Sequence, residues 1–123
     1  HAEGARIIIG RAGDPAAAMF IEMDYYGNGR RGAVPSWTNE MATMSWYYWL
    51  LFDGISAADH VQVPTLLVHS DGSVFPDNAR LVHRRLRGKK ELLWTDGNQT
   101  DFYDQPIQVG LAVEAADAFL KNC

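Results

Sequence analysis

Residues 61–104, VQVPTLLVHSDGSVFPDNARLVHRRLRGKKELLWTDGNQTDFYD, constrain the fold more than any other stretch of this chain. Residues 63–69 form a continuous apolar run with β-branched members, opened by Pro64, and proline is tolerated at a strand start. An unbroken rather than alternating run is the pattern of a strand covered on both faces, as in a parallel sheet. Pro76 and Asp77 open a helix whose Ala79, Val82 and Leu86 face inward, and Gly88 stands where a C-terminal cap belongs. Residues 91–95 make a second strand. After a polar loop, Asp104 is placed to cap a last helix over residues 105–121, with Val109, Ala112, Val113, Ala116 and Leu120 as its buried stripe. Strand, helix, strand, helix at this spacing predicts βα units on a parallel sheet, an α/β architecture. Two strands are too few for such a sheet, so it is expected to continue beyond them.

The sequence before this region reads as mainly helical. Residues 7–9 are a short β-prone run. Asp14-Pro15 is an N-cap followed by proline at the first helical position, and Ala16, Met19, Phe20, Met23 and Tyr26 follow at helical spacing. That pattern predicts an amphipathic helix over residues 15–26, ended by Gly27-Asn28-Gly29. A second helix is predicted within TNEMATMSWYYWLLFD, residues 38–53, capped by Ser36 or Thr38, where Met41, Met44, Tyr48 and Leu51 form one stripe. Trp46, Tyr47 and Trp49 lie on its other faces, and a helix that is apolar nearly all round must be covered on most sides. A patch of this size is more than soluble monomers usually expose. The expected covers are a missing N-terminal half of the protein, a partner subunit or a second copy of the chain; the rings can also line a substrate pocket. No repeat, low-complexity tract or linker divides the sequence. It is expected to be one domain over residues 1–123, with 1–60 mainly helical and 61–123 a βαβα closing unit.

Composition narrows the function classes. With 123 residues, 47% hydrophobic and 21% charged, the chain is globular rather than disordered. Its formal net charge of −4 lacks the basic footprint of a nucleic-acid binder. The local basic run Arg84, Arg85, Arg87, Lys89 and Lys90 closes a predicted helix, where cations are favoured. No apolar run approaches the roughly 20 residues that span a bilayer, so no membrane segment is expected. Cys123 is the single cysteine, which precludes an intramolecular disulfide and fits a reducing, cytoplasmic setting. The histidines His1, His60, His69 and His83 lack metal-site spacing, and neither metal nor cofactor is expected. The chain begins at His1 rather than methionine, as a trimmed, processed or incompletely represented product would.

The segment PTLLVHSDGSVFPDNARLVHRRLRGKKELLWTDGNQTDFYD resembles the C-terminal part of the α/β-hydrolase superfamily, nearest its dienelactone-hydrolase-like branch. The upstream pieces MDYYGNGRRGAVPSWTNEMA and MSWYYWLLFD are similar to the segment preceding the penultimate strand in some members of that branch. The resemblance implies the C-terminal portion of a doubly wound, mostly parallel sheet whose N-terminal half is absent from these residues. Such enzymes place a serine, or occasionally a cysteine, in G-x-S-x-G on a strand-to-helix turn, a histidine that accepts its proton, and a carboxylate that orients the histidine. No G-x-S-x-G occurs here, so the resemblance puts the nucleophile outside this chain.

The same resemblance singles out three positions. Where members often read H-G-x-x-D-x-x-V-P, this chain reads His69-Ser70-Asp71-Gly72-Ser73-Val74-Phe75-Pro76, which makes Asp71 the candidate orienting acid, earlier in the loop than usual. Asp71 followed by Gly72 is also an ordinary turn pair, and Asp77 is an acid that the first turn of a helix favours by itself. Where members read G-x-x-H-x-D-x-Y-D, this chain has Gly97-Asn98-Gln99-Thr100-Asp101-Phe102-Tyr103-Asp104. Gln99 occupies the histidine position, and a glutamine amide cannot act as general base. Asp101 or Asp104 can serve as base only with a pKa raised by burial; Asp104 also reads as a helix cap.

Three functions follow from these residues. One is a hydrolase of ester, lactone or thioester bonds, acting on a small-molecule substrate with its nucleophile supplied from outside this chain. The alternative is a catalytically inactive hydrolase-fold protein that binds or serves as a scaffold. A third is a C–C or C–O lyase-type reaction using Gln99 and Asp101 without histidine.

Overall fold

The computed structural model describes residues 4–20 and 24–123. The chain divides into two compact units, His1–Phe52 and Asp53–Cys123.

In the N-terminal unit, β1 (Arg6–Ile8) pairs antiparallel with β2 (Glu40–Ala42), with Ile7 opposite Met41. An Arg6–Glu40 ion pair of 3.7 Å flanks the register. Among the described residues two short helices, α1 (Asp24–Gly27) and α2 (Ser45–Leu51), also belong to the unit, so the portion expected to be mainly helical contains both helix and strand. The helix expected over residues 15–26 does not form at its start. Asp14 caps a turn instead, its carboxylate accepting from the Ala16 amide at 2.9 Å. The Ala18 and Met19 amides then donate to Ile8 O at 2.9 Å and Ile9 O at 2.7 Å, so Gly10 and Met19 form a parallel bridge. Amides committed to β1 and its continuation cannot close i→i−4 bonds, which is why the helical periodicity is overridden. The remainder of that expected helix includes residues 21–23, outside the described residues. The second expected helix, residues 38–53, is shortened for the same reason. Glu40–Ala42 is taken by the sheet and Thr43 donates to Ala5 O at 2.8 Å, so helix begins only at Ser45.

The C-terminal unit is the α/β part. It begins with α3 (Gly54–Ala57), whose Ser56 amide donates to the Asp53 carboxylate at 3.0 Å, and a 3₁₀ turn over Ala58–His60. There follow β3 (Thr65–Gly72), α4 (Pro76–Arg85), β4 (Lys90–Asn98), α5 (Asp101–Asp104) and α6 (Pro106–Lys121). β3 and β4 are parallel neighbours, in register from Thr65↔Lys90 to Ser70↔Thr95, with a shift before Gly72↔Asn98. β3 starts at Thr65, leaving Val63 and Pro64 outside it, and both strands end three residues later than the sequence predicts, their carboxyl ends side by side.

Three local expectations are corrected. Gly88 is not a helix cap: α4 closes at Leu86 in an extended conformation. Gly88 is instead pressed against the chain entering β3, where a Cβ would lie 2.2 Å from Gln62 O. Asp104 belongs to α5, and α6 is capped by Gln105 without a side-chain hydrogen bond. The buried stripe of α6 is also displaced: Phe119 is enclosed, whereas Val113 is 61% and Leu120 70% exposed. The basic run serves the fold. Lys90 Nζ donates to the carbonyls of Arg84 and Leu86 at 3.0 Å, closing α4, and Arg85 and Arg87 pair with Asp59 at 3.4 and 3.7 Å. Among the described residues no helix is long and apolar enough to cross a membrane.

Candidate functional site

The candidate site is built where β3 and β4 end. Ser70, the last residue of the regular register, is fully enclosed; its hydroxyl donates to Gly97 O and so accepts from Ser73 Oγ at 2.8 Å. This chain of hydrogen bonds ties the loop after β3 to β4. At the same point the backbones approach closely: a Cβ on Gly72 would lie 2.5 Å from Gly97 O. Such an approach requires a residue without Cβ.

Asp71 projects from the end of β3 into a cluster with α4 and β4. Arg80 Nη2 donates to Asp71 Oδ1, and the Trp94 indole donates to Asp71 Oδ2 at 3.1 Å. The Arg80 guanidinium lies over the Trp94 ring, 3.8 Å from its centroid, and Asp77 steadies it at 3.2 Å. His69 stacks on Trp94 with centroids 5.3 Å apart, as their paired positions on the parallel strands dictate. The hydrogen bond from Arg80, then that from Trp94, holds the Asp71 carboxyl below its ordinary 3.8, with the charges of Arg80 and His69 acting the same way and desolvation opposing them. Asp71 in turn raises the Arg80 pKa. The carboxylate is an ionised acceptor engaged on both oxygens.

The second loop is organised by Asn98. Its side-chain oxygen accepts from the amides of Thr100 at 2.9 Å and Asp101 at 3.2 Å, while Asp101 Oδ2 accepts from the Asn98 amide at 2.8 Å. These reciprocal bonds close the turn that leads into α5, whose N-cap is Thr100, and give the Asp101 carboxylate a backbone partner. Gln99 bridges the loops: its Oε1 accepts from the Val74 amide at 3.3 Å and its Nε2 donates to Tyr103 Oη at 3.3 Å. The structure thus brings Gln99 against the loop that carries Asp71, but directs the Asp71 carboxylate to Arg80 and Trp94. Of the histidines, His69 is in the stack and its Nδ1 lies 2.9 Å from Ser70 O; His60 ends the 3₁₀ turn, and His83 is on α4. Among the described residues no serine hydroxyl is hydrogen-bonded to a histidine, and no three His, Cys, Asp or Glu side chains gather as a metal site would.

Chemically, this arrangement can bind and orient a polar group through charge, indole and amide, but it holds no proton-accepting base beside a nucleophile. Arg80 and Trp94 escape a reading of the sequence. Their partner Asp71 lies nine and 23 residues away, and only the return of α4 and β4 brings them together. The reciprocal Asn98–Asp101 pair was also missed, although its i, i+3 spacing is a local signal that could have found it. No family model, curated protein or solved structure matches this chain.

Proposed function

We propose that this chain is the C-terminal portion of an α/β-hydrolase-like protein acting on an ester, lactone or thioester, in a cytoplasmic setting, with the nucleophile outside these 123 residues. The observation that carries this reading is the parallel pair β3–β4. Its adjacent carboxyl ends present the Asp71 loop and the Gln99 loop together, joined by the Gln99–Val74 hydrogen bond. In open α/β sheets, ligands bind in the crevice beyond the carboxyl ends of the strands. In this reading Asp71 supplies fixed negative charge at the crevice, and Gln99 sets the spacing of its two loops.

A second reading, a binding or scaffold protein on the same fold, is favoured by one specific observation. Both Asp71 oxygens are occupied by Arg80 and Trp94, and Gln99 cannot accept a proton. The two readings separate in one assay of the complete gene product on a short-acyl nitrophenyl ester, comparing wild type with Gln99→His. The hydrolase reading predicts turnover by wild type. Activity that appears only in the variant supports a binding protein derived from a hydrolase. Equal activity in both overturns the assignment of Gln99 to the base position.

A further inference from the structure

We infer that the N-terminal unit carries a second, separate binding site, for a planar, uncharged aromatic compound. The site is a cavity of about 620 Å³ whose walls come from Ile9, Met19, Tyr26 and Trp37, with Asp24 and Asn39 among its polar lining. That volume falls within the roughly 300–1,000 Å³ of small-molecule pockets, which are mostly apolar with a few fixed polar groups.

Two features argue for a formed site rather than a gap in packing. The floor is braced: the Asn39 side chain accepts from the Gly10 amide at 2.9 Å and donates to Gly10 O at 2.6 Å. The Met19 amide, donating to Ile9 O, fixes the adjoining wall. The rings of Tyr26 and Trp37 are 5.8 Å apart and tilted by 30°, and a second cavity of about 380 Å³ lies against the same two residues. The ring pair therefore stands beside both cavities, with Tyr25 packed edge-on against Tyr26 at 5.2 Å, and Trp37, 43% exposed, offers aromatic surface for stacking.

Charge selects against an ionic ligand. Among the described residues, Arg11 pairs with Asp14 at 3.1 Å and Asp24 with Arg31 at 3.4 Å, so these two charged lining residues already have counterions. The Asn39 amide is committed to Gly10. What remains for recognition is stacking and apolar contact, which suits a neutral flat ring and gives little to a carboxylate or phosphate. This site is independent of the hydrolase reading, which rests on Asp71 and Gln99.

The test is a titration of the complete, isotope-labelled protein with indole, followed through the tryptophan side-chain N–H signals, with Trp37 assigned by Trp37→Phe. The expected result is a saturable shift of the Trp37 signal. Trp37→Ala should weaken indole binding about tenfold, while Trp94→Phe leaves it unchanged and benzoate competes poorly. Asn39→Ala, which removes the floor brace without touching the rings, should weaken binding as well. A shift confined to Trp46 and Trp49, or no saturable shift of Trp37, overturns the inference. So does equal affinity for indole in wild type and Trp37→Ala, given a folded variant by its spectrum.

Discussion

Asp71 takes one hydrogen bond on each carboxylate oxygen, and this sets how the folded chain responds to acid. Its folded-state pKa lies below the ordinary 3.8, so its contribution to stability is fully present above that value and is lost as pH falls through the lower folded-state value. The side chain is exposed, so the contribution is small. Urea midpoints measured on acidification should therefore fall in wild type at the bottom of this range and fall less in Asp71→Asn; parallel curves would contradict the clamp. Phe75 offers a second test. It is 71% exposed yet holds φ 55° at the N-cap of α4, a left-handed conformation disfavoured for a bulky residue. Asn tolerates that conformation, so Phe75→Asn should stabilise the chain by about 1 kcal/mol in a denaturant melt. Asp71 was singled out only through the hydrolase resemblance, and its engagement was not legible, because the partners come from a later helix and strand. Nothing local announces the positive φ at Phe75, since neither glycine nor asparagine occupies the site.

β3, α4 and β4 were the most legible elements, because an unbroken apolar run and a Pro-Asp helix start are local signals that the parallel pairing here upholds, whereas the comparable Asp14-Pro15 start gave only a turn. The helix over residues 15–26 was misread because its periodicity is real but its amides pair elsewhere: Ala18 and Met19 donate to Ile8 and Ile9. For α6 the fault is different. Ile107, Leu111, Val113, Phe119 and Leu120 spread apolar side chains round the helix, so spacing alone does not select the face that Phe119 buries. The sheet itself gives a sharper prediction. A Cβ at Gly88 would meet Gln62 O at 2.2 Å, and one at Gly72 would meet Gly97 O at 2.5 Å, both backbone atoms that cannot swing aside. Gly88→Ala and Gly72→Ala should each destabilise the C-terminal unit by about 2 kcal/mol. Alanine at half-buried Gly110, where an added Cβ meets nothing within 4 Å on α6, should be neutral or stabilising by comparison.

Across the chain, apolar surface outruns the core that encloses it. Among the described residues the buried hydrophobic side chains are Ala17, Ala58, Leu86 and Phe119, two of them alanines. Meanwhile α2 and its C-cap present Tyr48, Trp49, Leu50 and Phe52, with Leu50 80% and Phe52 81% exposed. Among the described residues β3 has one neighbour, β4, and its apolar residues are only half-buried although its sequence is that of a strand covered on both faces. The proposed hydrolase-like reading accounts for all three facts with one statement: further polypeptide extends the sheet beyond β3 and packs on these faces. The direct measurement is thermal unfolding of the 123-residue chain purified alone, with a hydrophobic dye and acrylamide quenching of its tryptophans. The account predicts a broad, weakly cooperative transition, strong dye binding and readily quenched Trp46 and Trp49. A monomer that melts sharply, ignores the dye and shields its tryptophans would contradict it.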